Sequence, residues 1–276
     1  MTYWGAALLG LVQGLAEFFP ISSSGHLAVL QSFLRIGIPE DQLFFDVLLH
    51  LGTLAAVILA FWQDVRAVFC EALYTLHLKR RPHGKKPDGL QKRMLAFLII
   101  ATLPLGVMVF LKKYVEPLYN NTFFIGFALL VTGGLLFWAD RAGHGNKDLR
   151  SATGLDALIV GIAQAIAVVP GLSRSGTTIT AGLLCGFDRS FAVRFSFLLS
   201  IPAVLGANLL SLVDAMTAGI DWSYLPMYLV GVAAAFVSGY LAIYLLRMLM
   251  QRSRFGGFAY YCWGAGLVTL ILSLVA

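Results

Sequence analysis

Six apolar runs, each close to the length of a membrane-spanning helix, recur along this 276-residue chain and restrict the folds open to it. A helix needs about 20 predominantly apolar residues to cross a bilayer. Hydrophobic residues make up 59% of the chain and charged residues only 12%. Soluble domains carry roughly 25% charged residues, and so little polar surface would not cover a soluble fold of this size. The sequence therefore predicts an all-α polytopic membrane protein with full spans at 43–62, 94–113, 121–138, 191–213, 223–248 and 255–275.

The distribution of basic residues predicts the orientation of these spans. Residues 78–93, LKRRPHGKKPDGLQKR, carry seven Lys or Arg against one Asp. Nucleic-acid binding is one interpretation of such a patch, but in a polytopic chain the positive-inside rule favours a cytoplasmic loop and no nucleic-acid partner. Alternating the spans from there places loop 139–153 inside, loop 214–222 outside, and the C-terminus outside. Segment 64–79 is more mixed and is predicted to be interfacial or an extension of its neighbour. The N-terminus shows no basic region or small-residue cleavage site, so no removable signal peptide is expected.

Two further stretches are apolar but interrupted by Pro, Gly and Ser. These are residues 2–37 and 154–187, and each half is too short to cross a bilayer. Irregular backbone at membrane depth is tolerated only where it is buried in protein or lines a wet cavity. Both stretches are therefore predicted to be re-entrant helix–loop–helix pairs.

The two interrupted stretches also resemble each other. With a shift of 151 residues, GLVQGLAEFFPISSSG (10–25) aligns with GIAQAIAVVPGLSRSG (161–176), and the Gly, Gln, Ala, Ser, Ser and Gly at six positions are identical. An odd number of crossings separates the copies, so they have opposite orientations. We therefore expect one integral membrane domain, 1–276, made of inverted repeat halves at approximately 1–138 and 154–276. In such folds the paired interrupted segments meet to build the binding site.

The first interrupted loop, QGLAEFFPISSSGH (13–26), carries acid–base and hydroxyl groups. Gln13 and Glu17 share one helix face, and a charge at membrane depth costs at least about 2.5–3.5 kcal/mol, so it is retained for a partner. That partner is a cation, a metal or a substrate, unless Glu17 merely bridges the fold. Hydroxyls and free N–H groups at a helix start cradle anions, and His26 can act as acid, base or nucleophile. The hydroxyls of this loop belong to Ser22, Ser23 and Ser24.

The second loop, PGLSRSGTT (170–178), supplies a positive charge. Arg174 is the only basic residue between Arg150 and Arg189 in the sequence. Its planar fork suits a phosphate bidentately, although neutralisation of Glu17 alone is the simpler alternative. The loop adds further donors and a tight turn from Ser173, Ser175, Gly176, Thr177 and Thr178. The two loops together describe a phosphate site in which Glu17, with Gln13, can bind a hard divalent cation.

These motifs resemble those of a known family, the undecaprenyl-diphosphate phosphatases or bacitracin-resistance proteins. QGLAEFFPISSSGH is similar to its (E/Q)GxxEFxPxSSxGH signature and PGLSRSGTT to its PGxSRSxxT signature, and the resemblance covers essentially the whole chain. It implies hydrolysis of a polyprenyl diphosphate, with Mg²⁺ or Ca²⁺, in a bacterial inner membrane among membrane lipids, with a site reached from the outer side. It also implies six spans and two re-entrant pairs, and a homodimer is possible.

The resemblance carries residue roles by position. Glu17 would bind metal or act as acid or base, His26 would act as acid or base, and Arg174 would clamp the diphosphate. Ser23 is the favoured nucleophile, activated by His26, with His26 itself and a metal-bound water as alternatives. The remaining hydroxyl groups and Gln13 would hold phosphate oxygens.

Two other functions agree with parts of the sequence. The type-2 phosphatidic-acid phosphatases also contain SGH and SR, but they need a histidine downstream, and no His follows Arg174 in this chain. A lipid flippase or anion transporter is a different class that uses the same inverted-repeat architecture. Such a carrier has less reason to place Glu17 and His26 beside Arg174. Phosphate release by purified protein would separate the two.

Overall fold

The computed structural model describes residues 2–34, 42–78, 88–141, 145–218, 221–251 and 256–275. Some sequence predictions fall partly outside these residues: most of the basic loop 78–93, the end of the interrupted stretch 2–37, and parts of loops 139–153 and 214–222. Within the described residues there is no β-strand beyond an isolated bridge between Lys147 and Phe187. The structure is therefore all-helical where it is described, as the sequence predicts.

The described residues contain twelve α-helices and two 3₁₀ turns. The α-helices are α1 (Tyr3–Phe18), α2 (Ser23–Leu34), α3 (Gln42–Ala60), α4 (Trp62–Thr75), α5 (Gly89–Thr102), α6 (Leu105–Val115), α7 (Thr122–Arg141), α8 (Gly154–Ile166), α9 (Arg174–Leu184), α10 (Arg189–Ala218), α11 (Leu225–Gln251) and α12 (Gly257–Val275). The 3₁₀ turns are Glu116–Asn120 and Trp222–Tyr224.

Five helical segments in the described residues are long and apolar enough to span a membrane. They are Gly89–Asn120, Thr122–Arg141, Arg189–Val213, Trp222–Met250 and Gly257–Val275. Each coincides with one of the predicted spans. The sixth predicted span, 43–62, falls on α3, which meets the same criterion only together with α4. The protein is therefore a multi-pass membrane protein with five or six spans.

Helix α4 occupies the segment that the sequence predicts to be interfacial or an extension of its neighbour. It bends away from α3 by 91° directly after Phe61. Arg194 on α10 binds Asp64 at the start of α4, with its Nε 3.0 Å from Asp64 Oδ2. After the bend, α4 packs against α5 and is tied to α10 through the pair of Asp64 with Arg194.

The span predicted at 94–113 is built from two helices, α5 and α6, rather than from one straight helix. Pro104 separates them, because proline has no N–H to donate and its ring clashes with the preceding turn. Leu103 and Leu105, on either side of Pro104, line the interior cavity described below.

The two interrupted stretches each form a pair of short helices, α1 with α2 and α8 with α9. Ser22 breaks the first pair at a left-handed φ of 71°, and Gly171 breaks the second at a φ of 88°. A side chain on Gly171 would also meet Ala128 and the carbonyl of Ile125. These positions explain why neither stretch continues as a single helix.

Each of these pairs packs tightly against a helix of the other half of the chain. A Cβ at Gly10 of α1 would collide with the carbonyl of Gly231 on α11, and a Cβ at Gly161 of α8 would collide with the backbone of Ala101 on α5. Small residues let membrane helices approach to backbone contact. Gly10 and Gly161 are the pair matched by the 151-residue repeat, so equivalent glycines make equivalent packing contacts.

Candidate active site

The carboxylate of Glu17 is the centre of the site. Its Oε2 accepts hydrogen bonds from Ser23 Oγ at 2.6 Å and from Gln13 Nε2 at 3.1 Å. Its Oε1 pairs with the guanidinium of Arg174, which lies 157 residues away in the sequence. The Glu17 side chain is only 6% exposed. A buried carboxylate is thus fully engaged by groups from both interrupted stretches.

The two interrupted loops touch each other, and this contact sets the geometry. Ser175 Oγ donates to the carbonyl of Phe19 at 3.3 Å. A Cβ at Gly25 would lie 3.2 Å from the Cα of Gly171, so the two backbones are in contact there. Arg174 is the first residue of α9, where the side chain of Ser173 caps the helix by accepting from the N–H of Gly176. Capping stabilises the first turn of α9, to which Arg174 belongs.

The ring of His26 is bonded to other partners than Ser23 in this structure. Its Nδ1 lies 2.7 Å from the carbonyl oxygen of Ser22, and its Nε2 lies 2.8 Å from the hydroxyl of Tyr261. A carbonyl only accepts, so Nδ1 carries a proton, and Nε2 of the neutral ring accepts from Tyr261. The ring also stacks on Tyr261. Activation of Ser23 by His26 stays a prediction, and it would require this ring to leave Tyr261.

A second histidine, which the sequence reasoning did not single out, lies beside Glu17. His50 Nε2 is 3.8 Å from Glu17 Oε2, and its Nδ1 donates to the carbonyl of Asp46 at 2.7 Å. Asp46 in turn accepts from Gln31 at 3.1 Å, which ties α2 to α3. The signal was available in the sequence: an Asp and a His at i, i+4 inside the apolar span 43–62, where polar side chains are costly.

The residues predicted to bind substrate divide into two groups. Ser24 and Ser173 line the central cavity together with Ser23 and Arg174. The others are buried in the protein and do not line that cavity: Gln13, Ser22, Ser175, Gly176, Thr177 and Thr178.

Hydrogen bonds account for most of the buried group. Ser22 Oγ accepts from the N–H of Gly25, and Thr178 Oγ1 lies 2.6 Å from the hydroxyl of Ser196. Thr177 Oγ1 is buried with no hydrogen-bond partner among the described residues. In this conformation these groups shape the loops, and their contact with substrate stays a prediction.

A metal ion at Glu17 would take the place of donors that the carboxylate now accepts from, which are Arg174 at Oε1 and Ser23 and Gln13 at Oε2. Among the described residues, no group of three or more His, Cys, Asp or Glu side chains is arranged to hold a metal. Gln13 Oε1 is buried next to Glu17 and has no partner within that part of the chain. One carboxylate with one amide oxygen is a donor set that Mg²⁺ can use with water and phosphate oxygens, but Gln13 does not line the cavity in this conformation, so metal binding there stays a prediction.

These side chains open into a cavity of about 1720 Å³. Its polar end is formed by Glu17, Ser23, Ser24, Asp46, His50, Ser173 and Arg174, and most of the remaining wall is aliphatic. Arg174 keeps 20% of its side chain exposed there. The cavity thus combines a compact charged end with a long apolar surface.

Sequence comparison places this arrangement in a known family. Residues 6–268 match the family model described as Bacitracin resistance protein BacA. An undecaprenyl-diphosphatase of Alkaliphilus metalliredigens is 40% identical over 277 residues, covering 100% of both chains. One of Syntrophotalea carbinolica is 43% identical, covering 96% of this chain and 97% of the relative, and one of Methanosphaera stadtmanae is 41% identical, covering 98% of each. The resemblance first drawn from the two loop motifs is confirmed: the chain belongs to the bacitracin resistance protein BacA family.

Proposed function

We propose that this protein hydrolyses undecaprenyl diphosphate to undecaprenyl phosphate and inorganic phosphate, which recycles the lipid carrier of bacterial cell-wall synthesis and confers resistance to bacitracin. One observation carries the proposal. Glu17 and Arg174, from the two interrupted stretches, form an ion pair at the polar end of a large apolar cavity, with the Ser23 hydroxyl hydrogen-bonded to the same carboxylate. Family membership supports the same reaction, since the relatives named above are undecaprenyl-diphosphatases.

Arg174 is the group that meets the diphosphate. Its guanidinium is partly exposed to the cavity, and a phosphate can engage the fork that now pairs with Glu17. As the terminal phosphorus is attacked, negative charge builds on the bridging oxygen and the equatorial oxygens, and a fixed positive charge stabilises it. The P–O bond to the bridging oxygen breaks, and its electron pair leaves with undecaprenyl phosphate.

Glu17 is placed to take the proton of the attacking hydroxyl. If Ser23 attacks, its proton passes to Glu17 Oε2, 2.6 Å away, and a phosphoserine forms that water later hydrolyses. If water attacks directly, the same oxygen accepts the proton of that water. We favour Ser23, as the sequence suggests, and variants of Ser23 distinguish the two routes.

A divalent cation, Mg²⁺ or Ca²⁺, belongs to this proposal. Glu17 and Gln13 Oε1 would hold it, and when bound it neutralises charge on the diphosphate oxygens. The support is the unpartnered, buried Oε1 of Gln13 beside the only carboxylate that pairs with Arg174 among the described residues. With the cation present, Arg174 is left to bind the phosphate.

We further propose that six spans and two re-entrant pairs form an inverted repeat in the inner membrane. Three observations support it: the breaks at Ser22 and Gly171, the contact between the two loops, and the equivalent packing of Gly10 and Gly161 on opposite halves. The basic loops then lie inside, and the site opens toward the outer side, where the diphosphate product of cell-wall synthesis is released. Membrane lipids surround the spans, and a homodimer stays a prediction.

The test is phosphate release from undecaprenyl diphosphate by purified protein in detergent, where transport is impossible. We expect release that depends on a divalent cation and is lost in an Arg174→Ala variant that still folds. Absence of release with both Mg²⁺ and Ca²⁺ would reject the phosphatase and leave the flippase or transporter.

A further inference from the structure

Gln164, in the last turn of α8, is a buried amide at the wall of the central cavity. The residue is only 1% exposed, and it lines the cavity together with Ser173 and Arg174. Helix α8 packs against α9, of which Arg174 is the first residue. Neither the Nε2 nor the Oε1 of Gln164 has a hydrogen-bond partner among the described residues. Because a buried amide without partners is unfavourable, its presence here needs a reason.

The internal repeat shows why this amide lacks a protein partner. The 151-residue shift matches Gln164 with Gln13, whose Nε2 donates to Glu17 Oε2 at 3.1 Å, four residues further along the chain. The position four residues after Gln164 is occupied by Val168, whose side chain has no acceptor. The second copy therefore contains the amide but lacks the carboxylate that binds it in the first copy.

The two matched glutamines also differ in their surroundings. Gln13 is buried and does not line the cavity, whereas Gln164 and Val168 both line it. A partner for the Gln164 amide can therefore come from the cavity. Ser173 and Arg174 present a hydroxyl and a guanidinium to the same cavity. Hydroxyl, guanidinium and amide N–H groups all donate hydrogen bonds, and phosphate oxygens accept from each of them.

We infer that Gln164 is a further substrate-binding residue, whose Nε2 donates to a phosphate oxygen of the diphosphate that Arg174 binds. The inference rests on the proposed function and adds to it a residue that lies outside both loop motifs. A phosphate suits both ends of the amide, because its oxygens accept from Nε2 and its protonated form has a hydroxyl that donates to Oε1. The substrate thus provides the acceptor that Glu17 provides for Gln13 in the first copy.

Gln164→Met tests the inference, because methionine has a similar length and shape but offers no N–H donor and no carbonyl oxygen. Two quantities are measured in detergent with Mg²⁺ present. The first is the dissociation constant of methylene diphosphonate, a diphosphate analogue that is not hydrolysed at its P–C–P bridge, and the second is the free energy of unfolding without ligand. Gln164→Glu is a second variant, which keeps the shape and replaces the donor with a carboxylate.

Asn208→Leu is the matched control. Asn208 on α10 also has a buried amide that lines the cavity, but its Nδ2 donates to the carbonyl of Val47 at 3.5 Å. Removing this amide takes a polar group from the cavity wall that already has a protein partner. Diphosphonate binding by the control should therefore stay within about twofold of the wild type.

We expect Gln164→Met to weaken diphosphonate binding by about tenfold or more, since a hydrogen bond to a charged ligand is lost. Gln164→Glu should weaken it further, because the new carboxylate repels the phosphonate oxygens. Without ligand, Gln164→Met should be at least as stable as the wild type, since the unpaired amide no longer has to be buried. Weaker binding together with undiminished stability is the result that a purely structural role of Gln164 would not give.

Diphosphonate binding by Gln164→Met equal to that of the wild type would overturn the inference. Weaker binding with a less stable ligand-free protein would also overturn it, because the amide would then be structural, and so would absence of diphosphonate binding by the wild type. Phosphate release by the wild type is measured separately. Release with no effect of Gln164→Met on binding rejects the inference alone, whereas weakened binding in a protein that releases no phosphate rejects the proposed function alone.

Discussion

The pair formed by Glu17 and Arg174 gives the sharpest test of the site, because it separates catalysis from mere charge neutralisation. Glu17 is 6% exposed and Arg174 20% exposed. Removing one partner of a buried pair leaves the other charge uncompensated and costs about 3–5 kcal/mol of stability. Ser23 and Gln13 still donate to Glu17 after Arg174→Met, so we expect a loss near the lower end, about 3 kcal/mol.

The double variant Glu17→Gln, Arg174→Met removes both charges and should recover most of that stability, since replacing a whole buried pair is often neutral. Its activity should stay low. Loss of the positive charge at the developing transition state alone costs about 10²–10³ in kcat. The assay pairs phosphate release with equilibrium unfolding in detergent for the wild type, both single variants and the double variant. Near wild-type turnover by the stable double variant would refute the reasoning and show that Arg174 only neutralises Glu17.

Three further predictions follow from the same contacts. Ser23→Ala should lower kcat by at least about 10²-fold if Ser23 attacks phosphorus, whereas near-normal phosphate release would exclude serine attack. Chelation of divalent cations should abolish release and Mg²⁺ or Ca²⁺ should restore it, with Gln13→Leu needing more cation; activity that survives chelation would remove the metal from the proposal. His50→Leu should reduce turnover about tenfold, while His50→Gln, which keeps a polar group beside Glu17, should retain most of it. Wild-type activity of both variants would show that His50 has no part in turnover.

Span prediction succeeded where the apolar pattern was continuous and was incomplete where the backbone breaks. The segments at 121–138, 191–213, 223–248 and 255–275 were located because each carries its own apolar run. The mixed composition of 64–79 indicated a change after the span at 43–62, but not the 91° angle between α3 and α4, next to which Arg194 of α10 pairs with Asp64. Pro104 was visible in the sequence, but whether a proline kinks a span or ends it depends on the helices packed around it.

The candidate site was also predicted only in part from the sequence. The two loop motifs identified Glu17 and Arg174, because a charge in an apolar setting needs a partner and the repeat pointed to where that partner lies. His50 was missed although Asp46 and His50 are polar residues inside an apolar span, and only the fold shows that His50 lies beside Glu17. Activation of Ser23 by His26 stays a prediction; in the structure the His26 ring bonds to Tyr261, which is 235 residues away in the chain.

By itself, the sequence determined the membrane setting, the helical class, the family and the types of functional group in the candidate site. Those properties follow from local composition and from two short motifs, and they do not depend on how the helices pack. Only the tertiary structure decided which groups meet. Contacts such as those of Glu17 with Arg174 and with His50 arise from the packing of distant helices. Such contacts depend on the three-dimensional path of the whole chain, which no short stretch of it encodes.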